Sequence, residues 1–109
     1  RAFFQDWDVL LAPATLTPAF PHMPQPMSER WLEVDGQRVP YGRQAVYPSL
    51  ASLSGHPATA FPLGLAASGL PVGLQALGPY LEDRTAIRFA ALVAEAFGGY
   101  RPPVQFSQA

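Results

Sequence analysis

The sequence predicts an α+β fold: a few-stranded mixed sheet with flanking helices, a proline-rich loop and a small hairpin. Three observations carry this prediction. Short apolar runs without alternation are typical of strands buried on both faces. An Asp-Gly pair lies between two alternating segments, and one apolar stretch near the end has helical spacing. The 109 residues are enough for one domain and too few for two.

The first strand is predicted over Val9–Ala12, an apolar run that follows Asp8 and ends at Pro13. Such a run suits a strand in a parallel or mixed sheet. Residues 13 to 27 contain five prolines. Each proline lacks a backbone donor and biases the preceding residue toward extended geometry, so we predict a loop here. Proline-rich segments also bind aromatic grooves, but this one is crowded with apolar residues and has no basic flanks.

A hairpin is predicted where Trp31–Val34 and Gln37–Val39 alternate about Asp35 and Gly36. Asp-Gly supplies the two positive φ angles of a type I′ turn. We therefore expect a small hairpin that is exposed and tolerant of substitution.

The middle of the chain is predicted to hold one helical segment and an antiparallel strand pair. Residues 43 to 54 are loosely helical in pattern, with an interruption at Pro48. Two extended runs follow, at 58 to 63 and 71 to 77, joined by a link of small residues. Gly73 lies inside the second run, which indicates a bend or the close approach of another backbone.

The last helix is predicted from Arg84 to about Phe97, with Asp83 as its cap and Gly98 as its stop. Its polar residues fall on one narrow stripe: Arg84, Arg88 and Glu95. A helix that is apolar on most of its circumference is normally buried on several sides. The sequence therefore predicts a neighbour that this chain does not itself supply.

Composition excludes several classes of function. Charged residues make up 14% of the chain, well below the roughly 25% of an ordinary soluble domain. The net charge is −1 with a pI of about 6.1, so no basic surface for nucleic acid is expected. There is no cysteine or lysine, and no apolar run long enough for a membrane span. We expect a bacterial, cytoplasmic protein, and the opening Arg1 indicates a segment cut from a longer polypeptide.

The chain contains the residue types of a serine triad, namely Ser54 and His56 with Asp6 or Asp8. No Gly-x-Ser-x-Gly elbow surrounds Ser54, so we interpret Ser54 and His56 as turn residues.

Other candidate sites are weaker still. His22 and His56 lack spaced metal-ligand partners. Glu82 and Asp83 are more typical of a helix start than of an acid–base pair, and the recurring glycines do not form Gly-x-Gly-x-x-Gly. We therefore predict no catalytic, cofactor-binding or metal residue in this chain, and no cofactor.

Six short motifs, taken in order, resemble the closing region of the amidase-signature family. They are Asp8–Pro13, Gly55–Ala58, Pro62–Gly64, Gly69–Gln75, Gly78-Pro79 and Gly98–Pro103, with Asp83 opening the last helix. The resemblance extends from about Asp6 to Pro103. The family commonly has Asn three residues before Gly55, where this chain has Ser52.

The resemblance implies a hydrolase that cleaves carboxamides with a Ser–cis-Ser–Lys triad. The family's triad lies in a Gly-Ser-rich region N-terminal to the part that this chain resembles. This chain has no lysine and no Gly-Ser-Ser-Gly run, so no catalytic residue is carried over to it. The expected partners are the N-terminal catalytic part of the same polypeptide and a small-molecule amide.

Two alternatives remain open. One is part of the A subunit of a tRNA-dependent amidotransferase, which shares the family. The other is a non-catalytic interaction module that uses the proline-rich loop and the apolar helix. As a fragment of a longer polypeptide, the isolated chain is expected to self-associate, whereas a stable monomer would favour the interaction module. We expect no nucleic acid or membrane as a partner of the segment.

Overall fold

The computed structural model describes residues 2–103, and it confirms the α+β class. The helices are α1 (Phe3–Asp6), α2 (Pro48–Ser54) and α3 (Asp83–Phe97), with short 3₁₀ helices at Met27–Glu29 and Tyr41–Ala45. The strands are β1 (Leu10–Pro13), β2 (Trp31–Val34), β3 (Gln37–Pro40), β4 (Ala58–Leu65) and β5 (Pro71–Leu77). Residues 14 to 26 form a loop without regular structure, as predicted.

The strands form two sheets, one of order β1-β5-β4 and one made of β2 and β3. Every pairing among the described strands is antiparallel. The prediction of a mixed sheet is therefore wrong for this part of the chain. An apolar run indicates a strand but does not give the direction of its neighbours.

Strand β1 lies at one edge of the larger sheet and is less buried than its sequence predicts. Leu10 pairs with Leu77 and Pro13 with Leu74. Ala12 is buried, but Leu11 remains 46% exposed. Burial on both faces is therefore wrong for β1 within this chain, because no described layer covers the outer side of Leu11.

Strands β4 and β5 form the predicted antiparallel pair. Strand β4 continues to Leu65, and a register shift occurs between Pro62 and Gly64. A Cβ atom at Gly73 would lie 2.7 Å from the carbonyl oxygen of Phe61. The close backbone approach expected at Gly73 is confirmed.

Helix α2 begins at Pro48, so the helical segment predicted at 43 to 54 is divided just before this proline, into the 3₁₀ helix Tyr41–Ala45 and α2. Proline suits the first helical position because the backbone donor it lacks is unpaired there in any case. The helix ends at Gly55, whose φ of 69° is left-handed and whose N–H donates to Ala51 O. A glycine accepts that conformation without steric cost.

Helix α3 covers one face of the larger sheet. The Phe61 and Phe89 rings are 6.1 Å apart and edge-on, and Ala86 is fully buried. The helix starts at Asp83, so the prediction of Asp83 as its cap is wrong. Glu82 precedes the helix instead, and its carboxylate accepts a 3.0 Å bond from the Thr85 hydroxyl.

The polar stripe of α3 and its end are as predicted. Arg88 and Glu95 form a 3.4 Å ion pair with both side chains 65% exposed, a geometry that contributes roughly 0–1 kcal/mol. After Phe97, Gly98 donates its N–H to Ala94 O. No helix in the described residues is both long enough and apolar enough to cross a membrane.

The buried core of the described residues is small. It consists of Ala12, Leu32, Phe61, Ala76, Leu77 and Ala86. Gln75 is the buried polar side chain beside them. Three of the six apolar members are alanines, so little large apolar surface is removed from water inside this chain.

The β2–β3 hairpin has the predicted type I′ turn. Asp35 has a φ of 51° and Gly36 a φ of 74°, the two positive angles that this turn requires. Leu32 is buried beneath the hairpin, whereas Trp31 is 40% exposed, with the Arg38 guanidinium 4.7 Å from its ring centre.

We expect Gly36→Val to lower the free energy of unfolding by about 1 kcal/mol or more. No atom lies within 4 Å of a Cβ at this position, so the whole cost comes from the positive φ. Urea unfolding measures it. Gly42→Val is the matched control, because Gly42 also has open space but no positive φ. Equal losses in the two variants would contradict the backbone explanation.

Candidate functional site

The hydroxyl of Ser54 and the imidazole of His56 are held by different carbonyl groups. Ser54 lies in the last turn of α2, and its Oγ donates to Leu50 O at 2.5 Å and is 3.3 Å from Ala51 O. His56 Nδ1 is 3.0 Å from Gly78 O. A carbonyl oxygen only accepts, so Nδ1 carries a proton in this geometry. A serine–histidine pair is not assembled here.

His56 instead joins two of the sequence motifs. Its bond to Gly78 O is matched by a backbone bond from Gly78 N to Pro57 O at 2.9 Å. The imidazole lies near two aromatic rings, with the centre of Phe4 4.9 Å away and that of Tyr80 6.3 Å away. The turn after α2 is thus fixed to the end of β5.

The described residues hold no group of three or more His, Cys, Asp or Glu side chains placed to bind a metal ion. His22 lies in the proline-rich loop, far along the chain from His56, and is exposed. Glu82 is the residue before α3 and Asp83 is the first residue of that helix, so this acidic pair marks a helix start.

Ser52 stands at the position where the family that the sequence resembles commonly has Asn. Its hydroxyl donates to Pro48 O, one turn earlier in α2, at 3.2 Å. The side chain is exposed. In this chain the side chain at position 52 therefore forms a hydrogen bond within α2.

The Gly69–Gln75 motif leads into and forms most of β5, the central strand of the larger sheet. Gln75 is the polar residue of this strand and is 7% exposed. Its Nε2 donates to Pro13 O at 3.1 Å and to Tyr47 O at 2.9 Å. One buried amide group therefore contacts the end of β1 and the residue before α2.

A second glutamine orders the start of the proline-rich loop. Gln44 lies in the 3₁₀ helix Tyr41–Ala45. Its Oε1 accepts a 2.9 Å bond from Leu16 N, and its Nε2 donates to Thr17 Oγ1 at 3.1 Å. The loop is attached at this point to the 3₁₀ helix.

The far end of the loop is held by Tyr41 and Arg30. Phe20 packs edge-on against Tyr41 with ring centres 5.8 Å apart. Arg30 Nε donates to Gln25 O at 2.7 Å, and its guanidinium lies 5.6 Å from the Tyr41 ring centre. The proline-rich loop is therefore an ordered surface of the molecule.

Sequence reasoning missed both glutamines as structural residues. A signal existed for Gln75, because it is a polar residue within an otherwise apolar strand. Such a side chain has to find partners once the strand is buried. Gln44 gives no comparable signal, since its partners lie 27 and 28 residues away in a loop.

The chain is similar to proteins of one known family. The family model described as Amidase matches residues 1–87. The A subunit of glutamyl-tRNA(Gln) amidotransferase from Thermus thermophilus is 38% identical over 98 residues, which are 88% of this chain and 18% of that protein. Fatty-acid amide hydrolase 2-A of Danio rerio is 42% identical over 57 residues, which are 52% of this chain and 11% of that protein.

One solved structure is also similar to this chain over most of the chain's length. It comes from work on a vestigial protein complex that reveals the evolutionary origins of an s-triazine catabolic enzyme, and it aligns with a TM-score of 0.73 at 30% identity. The alignment covers 92% of this chain and 21% of that one. The chain spans less than a fifth of the two curated relatives named above. By the family match and by its fold, this chain belongs to the amidase family.

Proposed function

We propose that this chain is the closing segment of an enzyme that hydrolyses carboxamide C–N bonds, with its catalytic residues outside the segment. The observation that carries the proposal is the Amidase match over residues 1–87, in a sequence that contains no lysine. The family resemblance implies a Ser–cis-Ser–Lys triad. This chain aligns with 18% of the length of one relative, so the rest of such a polypeptide is long enough to contain the triad.

The reaction would proceed through an acyl-enzyme. The nucleophilic serine attacks the amide carbonyl carbon, while the lysine, acting through the bridging serine, accepts the hydroxyl proton. The C–N bond breaks as the amine leaves with a proton, and water then releases the carboxylic acid. Backbone N–H groups stabilise the oxyanion, usually the largest catalytic contribution.

In this proposal the chain supplies structure and part of the wall of the substrate pocket. The ordered proline-rich loop and the turn at His56 offer fixed surfaces. Side-chain hydrogen bonds of 2.9–3.1 Å attach the loop to the 3₁₀ helix Tyr41–Ala45 and to Gln75 of β5, and the turn to Gly78 at the end of β5. Fixed surfaces suit a pocket wall, because a preorganised wall binds substrate without a further cost of ordering.

A second candidate is a segment of an amidotransferase A subunit. Its support is the coverage of the match, since the Thermus thermophilus protein of that name aligns with 88% of this chain. The near-neutral charge adds no support for tRNA contact by the segment itself. Glutamine hydrolysis that requires other subunits would favour this candidate over a self-contained amidase.

We expect the isolated chain to show no hydrolysis of aryl or aliphatic amides above buffer and no labelling by a fluorophosphonate. Such probes react with activated serines, whereas the Ser54 hydroxyl is bonded to helix carbonyls. The natural polypeptide that carries the segment should be labelled and active.

Ser54→Ala in that longer polypeptide is the matched control, and it should retain its activity. The proposal fails if the purified chain turns over an amide and Ser54→Ala abolishes that turnover. It also fails if the natural polypeptide neither reacts with the probe nor hydrolyses any amide.

A further inference from the structure

Two glutamines connect the same two stretches of backbone. We call Gln44 and Gln75 the glutamine clasp. One stretch is residues 13 to 17, where the proline-rich loop starts, and the other is residues 44 to 47, which lead into α2. Four hydrogen bonds of 2.9 to 3.1 Å make the connection.

The clasp holds tertiary rather than local structure. The Gln75 bonds span 62 and 28 residues of sequence, and those of Gln44 span 28 and 27. Residues 14 to 17 lie outside the helices and strands, so few backbone bonds would hold the start of the loop without these side chains. Residues 44 to 47 lead from the 3₁₀ helix Tyr41–Ala45 into α2. Ala14 N to Gly73 O, at 3.4 Å, is the backbone bond that extends the β1–β5 ladder into the loop.

The chemistry at Gln75 requires an amide. Its Nε2 supplies two N–H donors, and both are used on backbone carbonyls. Glutamate at this position would have the same shape but no donor when ionised, and methionine would fill the volume without any donor. Either change removes both side-chain hydrogen bonds in a part-buried place, which is costly, and leaves Tyr47 O with only the bond from Leu50 N at 3.1 Å.

We propose that Gln44 and Gln75 are positioning residues that fix the proline-rich loop in one arrangement and thereby set the shape of the substrate pocket. This rests on the proposed function, in which the loop forms part of the pocket wall. Loosening the clasp frees the near end of the loop but removes no reacting group. Substrate binding should then weaken while the chemical step is largely kept.

The test compares Gln75→Met and Gln44→Met in the natural polypeptide that carries this chain. Gln37→Met, at an exposed position of β3, is the matched control. Hydrogen exchange followed by mass spectrometry should show exchange at least about tenfold faster at the start of the loop, where Ala14 N and Leu16 N donate hydrogen bonds, and in peptides from residues 43 to 50. Exchange in α3 should be unchanged, and the control should match the wild type.

The kinetic readout is the separation of KM from kcat. We expect KM for an amide substrate to rise about three- to tenfold in both clasp variants, with kcat within about twofold of the wild type. Gln44 is only half-buried, so Gln44→Met still provides the test if Gln75→Met fails to fold.

Three results would overturn the inference. The first is faster exchange throughout the chain, α3 included, which indicates general destabilisation. The second is unchanged loop exchange, and the third is a loosened loop with unchanged KM. If wild-type polypeptide hydrolyses no amide yet the clasp variants loosen the loop selectively, the proposed function fails while the loop-holding role of the clasp is supported.

Discussion

Gly73→Ala should destabilise the fold by about 2 kcal/mol or more, because it forces a methyl group against backbone. A Cβ at this position would lie 2.7 Å from Phe61 O and 3.6 Å from the carbonyl carbon of the same residue. Those atoms belong to β4, the strand paired with β5, so the clash is relieved only if the strands separate. Replacing glycine by alanine normally gains about 0.4–1 kcal/mol through the unfolded chain, and the clash outweighs this gain.

Urea unfolding at one fixed protein concentration measures the effect. The urea concentration at the midpoint of unfolding should fall, with little change in the slope of unfolding free energy against urea concentration. Gly64→Ala is the matched control, since Gly64 lies on β4 with nothing within 4 Å of a Cβ and no positive φ. The control should be unchanged or slightly stabilised. A Gly73→Ala protein as stable as the wild type would show that β4 and β5 do not approach as the structure has them.

The isolated chain should associate with further copies of itself at micromolar concentration. Its surface of 8307 Å² exceeds the roughly 5,900 Å² expected for a compact monomer of 11.8 kDa. The radius of gyration is 16.0 Å, against about 13 Å for a compact domain of this length. An extended, apolar-rich surface of this kind is normally covered in the native assembly.

Helix α3 carries large apolar side chains that remain exposed to solvent. Ile87 is 57% exposed, Leu92 46% and Phe97 76%. Burying one large apolar side chain contributes roughly 1.5–3 kcal/mol. In the proposed parent polypeptide other elements would cover this helix, whereas in a solution of the chain alone only another copy is present to do so.

Sedimentation velocity of the chain and of a Leu92→Lys/Phe97→Lys variant tests this expectation. The double variant should lower the association constant by about tenfold or more, since a loss of about 1.4 kcal/mol of binding free energy is a factor of ten. Glu95→Lys, on the polar stripe of α3, is the control for added positive charge and should associate like the wild type. A single monomeric species of the unmodified chain would contradict the expectation and favour an independent interaction module.

The amino-acid sequence by itself determined the features that depend on local backbone chemistry. Asp35 and Gly36 predict a type I′ turn because few other residue pairs accept two positive φ angles. Gly73 within a strand predicts a close backbone approach, and Gly98 predicts the end of α3. The motifs from Asp8 to Pro103 identify the family. The turn, the close approach and the helix end are each encoded within a few consecutive residues, and the family is encoded in the order of several short motifs.

The tertiary structure alone decided which segments meet. The apolar run at Val9–Ala12 predicts a strand, but strand direction and the exposure of Leu11 depend on which neighbours pair with it. Asp83 has the side chain of a cap, yet the turn after Gly78 places it one residue inside α3. Gln75 finds its partners 28 and 62 residues away. Hydrogen bonds over such separations form only once the sheet and loop are folded together, so no local pattern encodes them.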